Sequence, residues 1–161
     1  MKRFLIVFAV VANLVFVDAI TKELAAGYLK GSAAVSVIPN LFNLAYVENR
    51  GCAWGMFQGQ VWPLAVFGLI ALAFLIWKRK SVFSSSTSAF SLRLAAIAEP
   101  LLYAGIIGNI IDRLCRGYVI DFFDFHWGVR HFPCFNVADT LICVSVGLLL
   151  LASCRSSAPV K

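Results

Sequence analysis

Apolar residues run along this chain in four long blocks, at about residues 4–19, 61–77, 94–111 and 137–152, with polar stretches between them. Crossing the hydrocarbon core of a bilayer takes roughly 20 mostly apolar residues, with about 17 as a practical minimum. The pattern therefore predicts four transmembrane helices. Strand signals fall between the first two blocks, where Ile38-Pro39-Asn40, the run Leu41 to Val47 and Glu48-Asn49-Arg50-Gly51 read as turns and strand. They predict a small, partly β platform lying on the membrane. The serine-rich stretch Ser81 to Ser91 predicts a link between the second and third spans. Neither a repeat nor a second domain is visible, so one integral membrane domain, all-α apart from its platform, is expected over residues 1–161.

Composition agrees with a membrane as solvent. Of 161 residues, 61% are hydrophobic and 14% charged, too few polar groups to cover a soluble domain of this size. Lys and Arg near span ends are retained on the cytoplasmic side. Lys2, Arg3, the Lys78-Arg79-Lys80 cluster, Arg93, Arg155 and Lys161 thus predict both termini inside. The outer face then holds seven of the eight acids: Asp18, Glu23, Glu48, Asp112, Asp121, Asp124 and Asp139. The formal net charge of +6 is on this reading an inner-face property, suited to lipid contact and not to nucleic acid. A cleavable leader ending at Val17-Asp18-Ala19 is the rival to the first span. The five cysteines contain no Cys-x-x-Cys pair and are odd in number, which argues against a disulfide framework or structural zinc; Cys143, within a span, reads as a packing residue.

The acids carry the candidate chemistry. Asn109-x-x-Asp112 closes the third span and Asn136-x-x-Asp139 opens the fourth, at the same face. Each has a structural alternative: Asn136 with Asp139 resembles a capping box, and Asp112 has Arg113 and Arg116 nearby. Asp18 and Lys22 are four apart and share a helix face, as an ion pair would require. These alternatives leave Asp121, Asp124 and the clustering unexplained, and acids at a bilayer edge cost free energy. Two carboxylates held close share a proton. One then activates water while the other polarises a carbonyl and protonates the leaving amine, without metal or cofactor. Asp112, Asp121 and Asp139 all qualify. His126, His131, Asp121 and Asp124 are near enough in sequence for a metal, but without the His-x-x-x-His spacing of such sites. No Gly-x-Ser-x-Gly nucleophile motif is present.

Five blocks in order resemble the lipoprotein signal peptidases, or signal peptidase II. They are Asp18-x-x-Thr21-Lys22, Asn49-x-Gly51-x-Ala53-Trp54-Gly55, Gly105-x-x-Gly108-Asn109-x-x-Asp112-Arg113-Leu114, Gly117 to Phe122, and Phe132-Pro133-x-Phe135-Asn136-x-Ala138-Asp139. The resemblance covers nearly the whole chain. It implies Asp121 and Asp139 as the catalytic pair of an aspartic endopeptidase in the bacterial inner membrane. The implied substrate is a diacylglyceryl-modified prolipoprotein, cut on the amino side of its lipidated cysteine. A monomer is expected, with membrane lipids and precursor as its partners. Asn49, Gly51, Asn109, Arg113 and Asn136 would bind or orient substrate and pair, and Asp18, Lys22 and Asp112 would support them electrostatically. The chain departs from the family pattern at Ala19, where glutamine is usual, at Trp54, where phenylalanine is commoner, and at Glu99-Pro100 within the third span. Glu99 is expected either to reach the inner interface or to stay protonated, and Pro100 to kink the helix. Leu151-Ala152-Ser153-Cys154 reads like a lipoprotein cleavage box but falls at the inner end of the last span, where a substrate would not present it. A transporter or proton-relay subunit is the main rival function, because embedded acids also mark ion paths. A structural assembly factor is a third.

Overall fold

In the computed structural model, which describes residues 2–84 and 88–156, five helices carry a four-stranded antiparallel sheet. Lys161, the Arg155 side chain and the 85–87 part of the serine-rich link lie outside the described residues. The helices are α1 (Lys2–Leu29), α2 (Val61–Trp77), α3 (Arg79–Phe83), α4 (Ala89–Arg116) and α5 (Val137–Ser156). Three of them, α1, α4 and α5 up to Cys154, are long and apolar enough to cross a membrane, and α2 is a shorter apolar helix of 17 residues.

Three helices outrun their apolar blocks. Helix α1 continues ten residues beyond residue 19 because Asp18 and Lys22 are satisfied inside the bundle and do not need to leave it for water. Helix α4, 28 residues and about 42 Å long at 1.5 Å per residue, begins before residue 94 and continues to Arg116, where Gly117 (φ 77°) ends it in the left-handed conformation. Helix α5 runs to Ser156. The serine-rich stretch is not wholly a link: its first residues form the end of α3, because Phe83 is an apolar anchor buried edge-on against Tyr103. Helix α4 runs on through Pro100.

The sheet has the order β1 (Val35–Ile38), β2 (Phe42–Asn49), β3 (Val119–Trp127), β4 (Arg130–His131). Half of it comes from the segment between α4 and α5, where the turn and strand pattern drew no expectation of a platform. Ala25 and Leu29 of α1 pack with Ile120 and Phe122 of β3, which fastens the sheet to the end of the helices. Alternation along β3 then turns Val119 and Asp121 toward a cavity on its other face.

Candidate active site

Strand β3 and the first turn of α5 bring Asp121 and Asp139 to one cavity of about 360 Å³. Its lining also includes Asn49, Asn109, Arg113, Trp54 and Phe132. Asp121 is buried, and both its oxygens accept amide hydrogen bonds: Oδ1 from Asn136 Nδ2 at 2.7 Å, Oδ2 from Asn49 Nδ2 at 2.9 Å. Asp139 Oδ1 accepts from Asn109 Nδ2 at 2.7 Å. Asn136 ties the two carboxylates together. As the residue before α5, its Oδ1 accepts the Asp139 N–H at 2.9 Å, and its own N–H reaches Asp139 Oδ2 at 3.3 Å. The capping box read from the sequence is therefore present, and the same amide also holds Asp121.

Burial and the neighbouring Asp139 carboxylate raise the pKa of Asp121 to about 7, against the opposing pull of its two amide donors. Near neutral pH this carboxyl is poised to hold or release a proton, as acid–base chemistry requires.

Behind the pair lies a buried charge network. Lys22, with no solvent exposure, contacts Asp18 at 2.8 Å and Asp112 at 3.1 Å and donates to Asn109 Oδ1 at 3.3 Å. Asp18 Oδ1 accepts the N–H of Ala138 at 2.8 Å, so an aspartate of α1 occupies a free donor in the first turn of α5. Asp112 is held by Lys22, by Arg116 at 3.1 Å and by the Ile120 N–H at 3.1 Å, and it does not line the cavity. Glu23 extends the network through Arg116. Gly108 makes the approach possible: a Cβ there would stand 2.5 Å from Asp18 Oδ2. At the rim, Arg113 donates to the Gly51 carbonyl at 3.1 Å, and Asn49 Oδ1 accepts the Gly51 N–H at 2.9 Å. A Cβ on Gly51 would lie 2.4 Å from the Met56 carbonyl oxygen, so the turn tolerates nothing larger.

All ten residues singled out from the sequence thus meet in one connected group. Asp124 does not join them. It pairs with His131 at 2.7 Å and accepts from Asn43 at 3.2 Å, and among the described residues no three His, Cys, Asp or Glu side chains are grouped to hold a metal. Cys143, read from the sequence as a packing residue, is instead an exposed member of the cavity lining, and Cys52 and Cys134 line it as well. Their signal was positional: Cys52 and Cys134 are variable members of two of the five sequence blocks.

Residues 10–155 match the family described as signal peptidase (SPase) II. The chain belongs to the signal peptidase II family. A lipoprotein signal peptidase of Syntrophotalea carbinolica is 39% identical over 158 residues, covering 96% of this chain and 94% of that relative. One of Clostridium acetobutylicum is 40% identical over 149 residues, covering 89% and 88%. A bacterial membrane enzyme solved by the in meso method at 2.3 Å superposes with a TM-score of 0.78 at 29% identity, over 96% of this chain and 94% of that one. As a signal peptidase II the protein is an aspartic peptidase of a membrane, and the helices long enough to cross one are those that carry the Asp18, Asp112 and Asp139 blocks.

Proposed function

We propose that Asp121 and Asp139 are the catalytic pair of this signal peptidase II, and that it removes the signal peptide from diacylglyceryl-modified prolipoproteins on the amino side of the lipidated cysteine. The observation that carries this reading is the joint hold of Asn136 on both carboxylates, through its side-chain amide on Asp121 and its backbone N–H on Asp139, at the wall of one cavity. Asp121 carries the proton and hydrogen-bonds the scissile carbonyl. Ionised Asp139 takes a proton from the attacking water, and the proton of Asp121 then passes to the leaving amine. Arg113 and the Asn49–Gly51 turn position the substrate backbone, while Asp18, Lys22 and Asp112 hold Asn109 and the start of α5 in place.

The chain lies in the bacterial inner membrane as one domain with four spans, α2 being the fourth, both termini cytoplasmic and the sheet forming the extracytoplasmic platform. Retention of α1 as a span, and not as a cleaved leader, is supported by the place of Asp18 in the network. The enzyme acts as a monomer. The proton-relay reading calls for acids spread through the bundle. Glu99, the acid remote from the others, is instead neutralised by Arg3 and Arg79.

Purified enzyme with a synthetic lipid-modified precursor tests the pair. Asp121→Asn and Asp139→Asn should each lower cleavage by about 10²–10⁴-fold or more, with a chelator making no difference. Cleavage at the normal rate by either variant would show that the pair is misassigned.

A further inference from the structure

A second cavity, of about 340 Å³, lies at the other end of the bundle, between α1, α2 and α4. Phe4, Val7 and Val11 of α1 and Leu72 and Ile76 of α2 make its walls apolar, and its polar members, Arg79, Glu99 and Tyr103, lie together. From Glu99 to Ile107 the lining follows α4 for about 12 Å, most of the roughly 15 Å depth of one leaflet. The slot thus has the length and character that suit a hydrocarbon chain.

Its mouth is positively charged. Glu99 is fully buried and accepts from Arg3 at 3.1 Å and from both Nε and Nη2 of Arg79. Two guanidiniums serve one carboxylate, which leaves one positive charge uncompensated, and the Arg3 and Arg79 side chains remain 53% and 34% exposed. Lys78 sits over the ring of exposed Trp77, 4.1 Å from its centroid, the pairing of aromatic and basic residue that marks a bilayer interface. The arginines therefore lie at headgroup depth. Deeper in, the Tyr103 hydroxyl has no hydrogen-bond partner among the described residues, although the residue is only 8% exposed. Buried polar groups rarely go without one, so the slot has a donor to offer.

We infer that this cleft binds an anionic phospholipid, with one acyl chain between α1, α2 and α4, an ester oxygen on Tyr103 and the phosphate against Arg3 and Arg79. Leader segments of secreted precursors begin with basic residues, and the same uncompensated positive charge disfavours them as occupants. The inference rests on the membrane-embedded reading of the chain and not on its catalytic chemistry.

Native mass spectrometry of the purified full chain, with phosphatidylglycerol or phosphatidylcholine of identical acyl chains, tests it. Phosphatidylglycerol should be retained in preference by roughly fivefold or more, in line with the attraction of one basic residue for an anionic lipid. Arg3→Gln, which leaves Glu99 paired with Arg79, should remove most of that preference. Val11→Trp, which fills the slot, should abolish retention. Equal retention of the two lipids by the wild-type protein overturns the inference, as does retention unchanged in both variants or displacement of the lipid by a basic leader peptide. Precursor cleavage by the same samples is read separately. Intact cleavage without lipid preference rejects the lipid site alone, and lipid preference without cleavage rejects the proposed function alone.

Discussion

The buried Lys22 ammonium lies 3.3 Å from Oδ1 of Asn109, and this contact fixes which way the amide faces. With its oxygen turned to the cation, the Asn109 NH₂ is the group that points at Asp139. One lysine on α1 therefore orients a donor on α4 toward a carboxylate on α5. Replacing it removes the counter-ion of two buried acids. Lys22→Met should destabilise the protein by about 3–5 kcal/mol, read by thermal unfolding in detergent. A variant with wild-type stability would show that Asp18 and Asp112 do not depend on Lys22.

Cleavage should decline as pH rises through about 7, where Asp121 gives up its proton. Hydrogen bonds donated by Asn49 and Asn136 favour the ionised form, so Asn49→Ala should move this limb to higher pH. A pH–rate profile of kcat/KM on lipid-modified precursor decides it, and a limb shifted downward would contradict the assignment.

The same group makes stability depend on pH. The value of Asp121 rises on folding from 3.8 to about 7, so between these values the folded protein binds more protons than the unfolded. Its contribution to stability is fully present below pH 4 and is lost as pH rises toward 7. Asp121→Asn should flatten that part of the curve of Tm against pH.

Gly108 has no room for a side chain. In Gly108→Val the new atoms would displace Asp18 from the start of α5, and overpacking of this kind costs about 1–3 kcal/mol. Activity should fall at least about tenfold even where the protein still folds, since each Å of misplacement in a site of this type is costly. Precursor cleavage measured beside Tm separates the two effects.

Cys134 should be slow to alkylate although it lines the cavity. Burial pushes its thiol up to about 11, so at pH 8 only about a thousandth is thiolate. Peptide mapping after maleimide treatment should show labelling at this cysteine roughly 50- to 100-fold faster at pH 10 than at pH 8.

Much of this architecture is legible in the sequence. Apolar runs of span length mark helices because lipid leaves the backbone no other partner for its N–H and C=O groups, and the asparagine–aspartate spacing placed two acids at one end. Spacing could not separate Asp112 from Asp121 and Asp139. The difference is one of occupancy: Asp112 is enclosed by Lys22, Arg116 and the Ile120 N–H, and only the assembled fold reveals those contacts. The role of β3 was hidden for a related reason. Val119 to Phe122 are buried on both faces, which erases the apolar–polar alternation by which a strand is recognised. Hydropathy ends a helix too early where charge continues inside the bundle, as at Lys22, because it counts a paired lysine as if it were bare.

The bond from Asp18 to the Ala138 amide joins positions 120 residues apart. Closing a loop of that length costs chain entropy, so a contact of this separation weighs on the folding rate. Until α5 arrives, the Asp18 oxygen lacks the amide donor it meets in the finished site, and Asp139 is not yet in place. Without its last helix the chain therefore lacks both that bond and one half of the proposed catalytic pair.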